Sequence, residues 1–264
     1  MKCKEILENL NKIMPMEFAM SWDNPGLLVG RRDCSVKRIL LALDVTTEAI
    51  EQAVALGVDL LITHHPLIFS PLKKINDEDI FGSRILSLVE NHINYIAMHT
   101  NYDVAIGCMG DLAAEKIEIQ GRPLEVTGQI DGVEIGVGKV GKLKNVCTLE
   151  ALIAHVKAKF SLPFVSVYGA ELLENKRVET VAISPGSGKG MYSYAVAAGA
   201  QVLITGDITH HEALDAREAG ICIIDAGHYG LEHIFMEDME KKIKKFMPRV
   251  AVYRVPFAIP VQVR

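Results

Sequence analysis

At an offset of 142, AVALGVDLLIT (53–63) lies on AVAAGAQVLIT (195–205) without a gap. Ala, Val, Ala, Gly, Leu, Ile and Thr coincide. The same shift pairs the run starting at Arg38 with the run starting at Thr180. At a shift of 127, INYIAMHTNYD (93–103) falls on GICIIDAGHYG (220–230), so the intervening loop is longer in the first half by 15 (142 minus 127). Two copies of one supersecondary unit restrict the chain to folds made of two related halves.

The unit itself is legible. Short β-branched runs such as RILLALDV and VDLLITHH alternate with amphipathic stretches such as TTEAIEQAVALG. That strand, helix, strand order is the pattern of an α/β fold, in which right-handed crossovers give mainly parallel sheets. With 264 residues, 49% of them hydrophobic, the chain can build two cores. The expected fold class is therefore α/β: two related domains from an internal duplication, with mixed, mainly parallel sheets. The halves are placed at 1–125 and 126–264, with C-terminal elements free to pack back on the first. Between them, 121–170 differs from the repeat: LEVTGQIDGVEIGVGKVGKL suggests two strands with Gly-bearing turns, and TLEALIAHVKAKFSLPFVSVYG a capped helix and a strand. A long helical pattern runs from Tyr229 to about Phe246.

Several function classes are disfavoured. A net charge of -5 offers no footprint for nucleic acid, and pairs such as Lys73–Lys74 and Lys241–Lys242 have acidic neighbours, as on solvated faces. No window approaches the run of roughly 18 apolar residues that a membrane span requires. The N-terminal MKCKEILENLNKIMPMEF alternates charged and apolar residues, unlike a signal peptide. Five scattered cysteines (Cys3, Cys34, Cys108, Cys147, Cys222) without a C-x-x-C suit a reducing compartment, so the expected location is cytoplasmic.

Ligands of open α/β sheets gather at the carboxyl ends of strands. His64 and His65 follow one such end, in LLITHHPLIF. Neighbours within a strand face opposite sides, but Pro66 stops the strand, so both rings can approach one pocket from different directions, an arrangement suited to two metal ions. HTNYD supplies His99, Asn101 and Asp103, and HYGLE supplies His228 and Glu232, four apart on one helical face. His64, His65, Asp103, His228 and Glu232 form a His/carboxylate set without thiolates, as expected for Zn, Mn or Fe. ITGDITHHEALDAREAG adds Asp207, open to a helix-capping or a site role, and His210 and His211, about 100° apart on a helix. His211 is the candidate for proton transfer or for support of the ligands, and His99 is a second such candidate. His92, His155 and His233 lack a supporting pattern. ISPGSGKGM is not a P-loop, since Gly190 follows Lys189 where a hydroxyl belongs; an anion-binding turn and a simple tight turn both remain open. SWDNPGLLVG holds the single Trp, either packed in a turn or lining the site.

WDNPGLLVG, ITHHPLIF, HTNYD, ITGD and DAGHYGLE, in this order over nearly the whole chain, resemble the Nif-three-like family, the GTP cyclohydrolase 1 type 2 homologues. The resemblance implies a dinuclear metal site in a cleft between two α/β domains and a homohexameric ring assembled from dimers. Carried over motif by motif, it gives the same ligands: His64, His65, Asp103, His228 and Glu232. Longer members have an inserted domain that this chain is too short to include. The implied activity is metal-dependent hydrolysis of GTP or a related heterocyclic or phosphorylated small molecule; for GTP, attack is at C8 of guanine, with ring opening and release of formate. The alternative function is a non-catalytic metal-binding or regulatory interaction protein.

Overall fold

Apolar runs of four to six residues, too short for helices and bounded by turn residues, become the inner parallel strands of two separate sheets. The computed structural model describes residues 1–263. In chain order the elements are α1 (Cys3–Ile13), β1 (Gly26–Val29), β2 (Arg38–Ala42), α2 (Thr47–Leu56), β3 (Leu60–Thr63), α3 (Ile80–Glu90), β4 (Asn94–Ala97), α4 (Thr100–Val104) and α5 (Met109–Lys116). The long strands β5 (Ile119–Ile130) and β6 (Val133–Cys147) follow, then α6 (Leu149–Phe160), β7 (Ser166–Tyr168), β8 (Val178–Ile183), α7 (Met191–Ala197) and β9 (Val202–Thr205). The chain finishes with α8 (His210–Glu218), β10 (Cys222–Asp225), α9 (His228–Glu232), α10 (Ile234–Phe246) and β11 (Ala251–Arg254).

The chain folds as two compact units. The first comprises residues 1–105 and 235–257, with a five-stranded sheet in the order β1-β4-β3-β2-β11; all its pairs are parallel except the β1 edge. Every residue of β3 and β4 is buried, as expected of inner parallel strands covered on both faces. Leu40, Leu61 and Tyr95 join Ala49, Ile50, Ile85 and Leu88 in its core. α2 is delimited by its ends: the Thr46 side chain accepts from Ala49 N, and Gly57 closes the helix at φ 57°.

The second unit comprises residues 106–234 and the last residues from Ala258, with a six-stranded sheet in the order β5-β6-β8-β9-β10-β7. β8, β9 and β10 are parallel, whereas β5, β6 and β7 join antiparallel. The β5–β6 hairpin turns at Asp131-Gly132, both at positive φ, as a two-residue turn matching the strand twist requires. Thr148 caps α6 by accepting from Ala151 N.

The strand ladders carry the repeat. Ile39, Leu40 and Leu41 pair with Leu60, Leu61 and Ile62; at the offset of 142, Val181, Ala182 and Ile183 pair with Val202, Leu203 and Ile204. For the next strand the ladders require a shift of 128, because Leu60 pairs with Asn94 and Val202 with Cys222. The loop of the first half is thus longer by 14 (142 minus 128), one less than the alignment of letters suggests. A register error of one would exchange the two faces of the strand, so hydrogen bonding settles the point where letters do not. At the same shift of 128, α4 maps residue for residue onto α9.

Two other expectations are revised. The division falls after Ala105 rather than after residue 125, because β5 pairs along its length with β6, which in turn pairs with β8. Residues 251–254 return to the first sheet by pairing with β2. The helical pattern from Tyr229 is broken at His233, whose Nδ1 donates to the Gly230 carbonyl at 2.9 Å.

Candidate metal centre

In the first unit, β3 ends at Thr63 and the chain turns through His64, His65 and Pro66. A buried phenol holds this turn. Tyr95 Oη on β4 lies 2.9 Å from the His65 carbonyl, accepts from Leu67 N at 2.9 Å, and is 2.8 Å from Thr63 Oγ1. Burial pushes the pKa of this phenol up, in keeping with a neutral bridging hydroxyl. The backbone of His65 stays tethered to the end of β2 through its N–H, which donates to Leu43 O at 3.0 Å.

Three imidazoles in this unit, those of His64, His65 and His99, are held from behind. His64 Nδ1 lies 2.8 Å from the Met98 carbonyl, His65 Nδ1 is 2.8 Å from Asp44 Oδ1, and His99 Nδ1 is 2.8 Å from Asp23 Oδ1. An Nδ1–H donated to an oxygen fixes the ring and leaves Nε2 as the outward lone pair, which is how metal-ligating histidines are oriented. Donor atoms of His64, His65 and His99 lie within 4.8 Å of one another. Asp103, on the first turn of α4, brings Oδ1 to 3.5 Å from the fully buried His64 Nε2.

In the second unit, α9 carries His228 and Glu232 on one face, with His228 Nε2 3.0 Å from Glu232 Oε2. His228 Nδ1 lies 3.1 Å from Asp207 Oδ2, so this ring too is held by a carboxylate. Asp207 adopts φ 51°, and its N–H together with that of Ile208 is received by the Asp225 carboxylate at the end of β10. Gly206 is sterically required: a Cβ there would stand 2.4 Å from His228 N. A Cβ on Gly186 would stand 2.9 Å from Glu232 Oε1, so that glycine clears space for the carboxylate.

The donor chemistry fits a divalent ion. Two ligands of one ion, each bound at about 2.1 Å, stand roughly 3.0 to 3.4 Å apart, and both His/carboxylate pairs are near that separation. Buried carboxylates next to imidazole nitrogens are the expected environment for a cation held by N and O donors.

Asp23 has the clearest electrostatic signature in the first unit. Burial acts to raise its pKa, but hydrogen bonds from the His99 ring, the Thr100 hydroxyl and the Thr100 backbone N–H override burial and lower it to about 2. Asp23 is therefore an anion at neutral pH, fixed behind His99.

Among the other sequence candidates, His211 lies on an exposed part of α8 and its ring packs against that of His210, with centroids 5.3 Å apart. Asp207 does not cap α8; Thr209 does, accepting from Glu212 N. In the glycine-rich loop 186–190, Gly190 N donates to Glu212 Oε1 at 2.9 Å, so a carboxylate of the chain already sits at the start of α7. The sequence alone does not show that Asp23, Asp44 and Asp207 support His99, His65 and His228. Asp44, closing LLALD, and Asp207, closing LITGD, carry a positional signal at strand ends.

The Duf34/NIF3 (NGG1p interacting factor 3) family model matches residues 1–258. A Clostridium perfringens protein named GTP cyclohydrolase 1 type 2 homolog is 33% identical over 245 residues, which is 93% of this chain and 92% of the relative. A Staphylococcus aureus hypothetical protein of known structure superposes with a TM-score of 0.88 at 30% identity, covering 100% of this chain and 99% of that one. A Bacillus cereus protein described as related to NIF3 has the same fold, at a TM-score of 0.89, 24% identity and the same coverage.

Proposed function

The chain belongs to the Duf34/NIF3 family, and from that premise we propose that it is a metal-dependent hydrolase with His64, His65, Asp103, His228 and Glu232 as ligands of two divalent ions. The observation that carries this reading is the uniform treatment of the rings: His64, His65, His99 and His228 each have Nδ1 engaged by a carbonyl or carboxylate, leaving Nε2 outward. Zn, Mn and Fe all suit the donor set. Bound divalent ions supply Lewis acidity, acidifying water toward neutral pH and stabilising developing negative charge.

The chain's own residues supply the rest. His99 keeps Nδ1 on Asp23 and offers Nε2 near the His64 and His65 donors, so it accepts or returns a proton at Nε2 during hydrolysis. The exposure of His211 favours His99 over it for proton handling in this reading. GTP or a related heterocyclic or phosphorylated small molecule is the substrate class, as the relatives' name suggests. A homohexamer in the cytoplasm completes the reading; the described cysteines form no disulfide with one another, and no helix among the described residues is long and apolar enough to cross a membrane.

Elemental analysis of purified protein is expected to give two divalent ions per chain. His64→Ala and Glu232→Ala should each lose most of that metal while circular dichroism shows a folded protein. Full occupancy in both variants rejects the ligand assignment. Metal-loaded protein should release formate from GTP, and His99→Ala should lose rate while keeping both ions. A full metal complement without turnover on nucleotides, pterins or phosphoesters selects the binding-protein function instead.

A further inference from the structure

Trp22 is the only tryptophan in the chain, and it is 57% exposed. Phe69, from the loop after His65, is 48% exposed, and the two rings lie 5.6 Å apart at an interplanar angle of 41°. Large aromatic side chains left half in water forgo much of their burial energy, and such exposed apolar surface often marks a binding site.

The pair is also held in place. Asn24 Nδ2 donates to Ile68 O at 2.7 Å, tying the residues that adjoin Asp23 and Phe69. Asp23, next to Trp22, receives the His99 ring and both the N–H and hydroxyl of Thr100, and its own N–H donates to Met20 O at 2.9 Å. Met20 N in turn donates to Thr100 Oγ1 at 2.9 Å. Hydrogen bonds thus fix both loops near the rings, which lowers the ordering cost of binding.

The surroundings specify the ligand. The His99 ring lies edge-on to both aromatics, with centroids 6.1 Å from Trp22 and 6.3 Å from Phe69. A planar ring stacked on the pair would lie beside an imidazole whose donor nitrogen belongs to the His64/His65 group. A purely aliphatic ligand gains no ring stacking from two half-exposed aromatic side chains, whereas every nucleobase or pterin has a π-face to offer them.

We propose that Trp22 and Phe69 form a stacking platform for a planar nitrogen heterocycle of the purine or pterin type, selecting the substrate by its ring. This inference rests on the hydrolase reading for its place in a reaction, but stacking is measurable without turnover.

Because Trp22 is unique, its fluorescence reports on the platform directly. Guanosine and GTP should change its emission saturably, with inner-filter effects corrected against free tryptophan, whereas inorganic triphosphate should not. Trp22→Ala should weaken guanosine binding about tenfold or more by equilibrium dialysis, from the stacking cost typical of a base on an aromatic ring at about 1.4 kcal/mol per tenfold. Phe69→Ala should act in the same direction, Trp22→Phe should restore most of the affinity, and metal content should stay unchanged throughout. Absence of a saturable response to guanosine overturns the proposal, as does unchanged affinity in Trp22→Ala. Emission already blue-shifted and shielded from iodide also overturns it, because a second copy would then cover the rings. If guanosine binds but neither metal nor turnover is found, the hydrolase reading fails and the platform stands. If metal loads and formate is released while Trp22→Ala alters neither affinity nor KM, the platform alone fails.

Discussion

The two halves share a backbone and divide the chemistry differently. Residues related by the ladders show this: His64 and His65 correspond to Gly206 and Asp207 at a shift of 142, and Thr100 corresponds to His228 at a shift of 128. In the first unit the imidazoles sit at the end of β3, and Asp44 at the end of β2 holds one of them. The second unit inverts this, with the carboxylate Asp207 after β9 and the imidazole at the start of α9. Gly186, the counterpart of Asp44, yields its space to Glu232. Thr100, the counterpart of His228, donates to Asp23. The same strand ends can therefore present either an imidazole or the carboxylate that holds one. What cannot vary freely is the space around them.

The largest expected effect tests that space. Gly206→Ala places a methyl 2.4 Å from His228 N, a backbone atom that cannot swing aside. Overpacking against backbone should destabilise the protein by roughly 3 kcal/mol, and thermal unfolding measures it. If Gly206→Ala melts like the wild type, the two strand ends are less different than the geometry states.

A smaller effect separates the halves electrostatically. Asp23 has an ordinary pKa of 3.8 and a folded value of about 2, so its contribution is complete above about pH 4 and fades as pH falls through 2. Asp23→Asn should cost roughly 2 kcal/mol at pH 7, with the gap to wild type closing between pH 4 and pH 2 in urea unfolding. A gap independent of pH would assign the loss to packing instead of charge.

The finest comparison sets Asp44→Asn against Asp207→Asn. An amide can keep the contact but supports imidazole basicity less well, and loss of such a partner typically weakens metal affinity about ten- to a hundredfold. Both variants should fall in that range by calorimetric titration with Zn. The Asp207 variant should fall less if its exposed carboxylate is better screened, the side chains being 62% exposed for Asp207 and 49% for Asp44. Equal affinities in wild type and both variants would deny any shared supporting role.

Much of this is legible in the sequence. Aliphatic four-residue runs at two fixed offsets determined a repeated α/β unit, because inner strands of a parallel sheet need continuous apolar sequence. Proline after His65 and the four-residue spacing of His228 and Glu232 pointed to candidate ligands, because both signals are local. The supports were not local. In the chain, Asp23 and His99 are separated by 76, Asp44 and His65 by 21, and Asp207 and His228 also by 21. A carboxylate in a turn looks the same in sequence whether it faces water or an imidazole. Even the correction of the repeat by one position came from ladder pairing that the letters did not encode. The sequence by itself determined the repeating strands and the donor types, through hydrophobic pattern and residue chemistry; only tertiary structure decided which carboxylate stands behind which ring, because that depends on strand ends brought together by sheet hydrogen bonds.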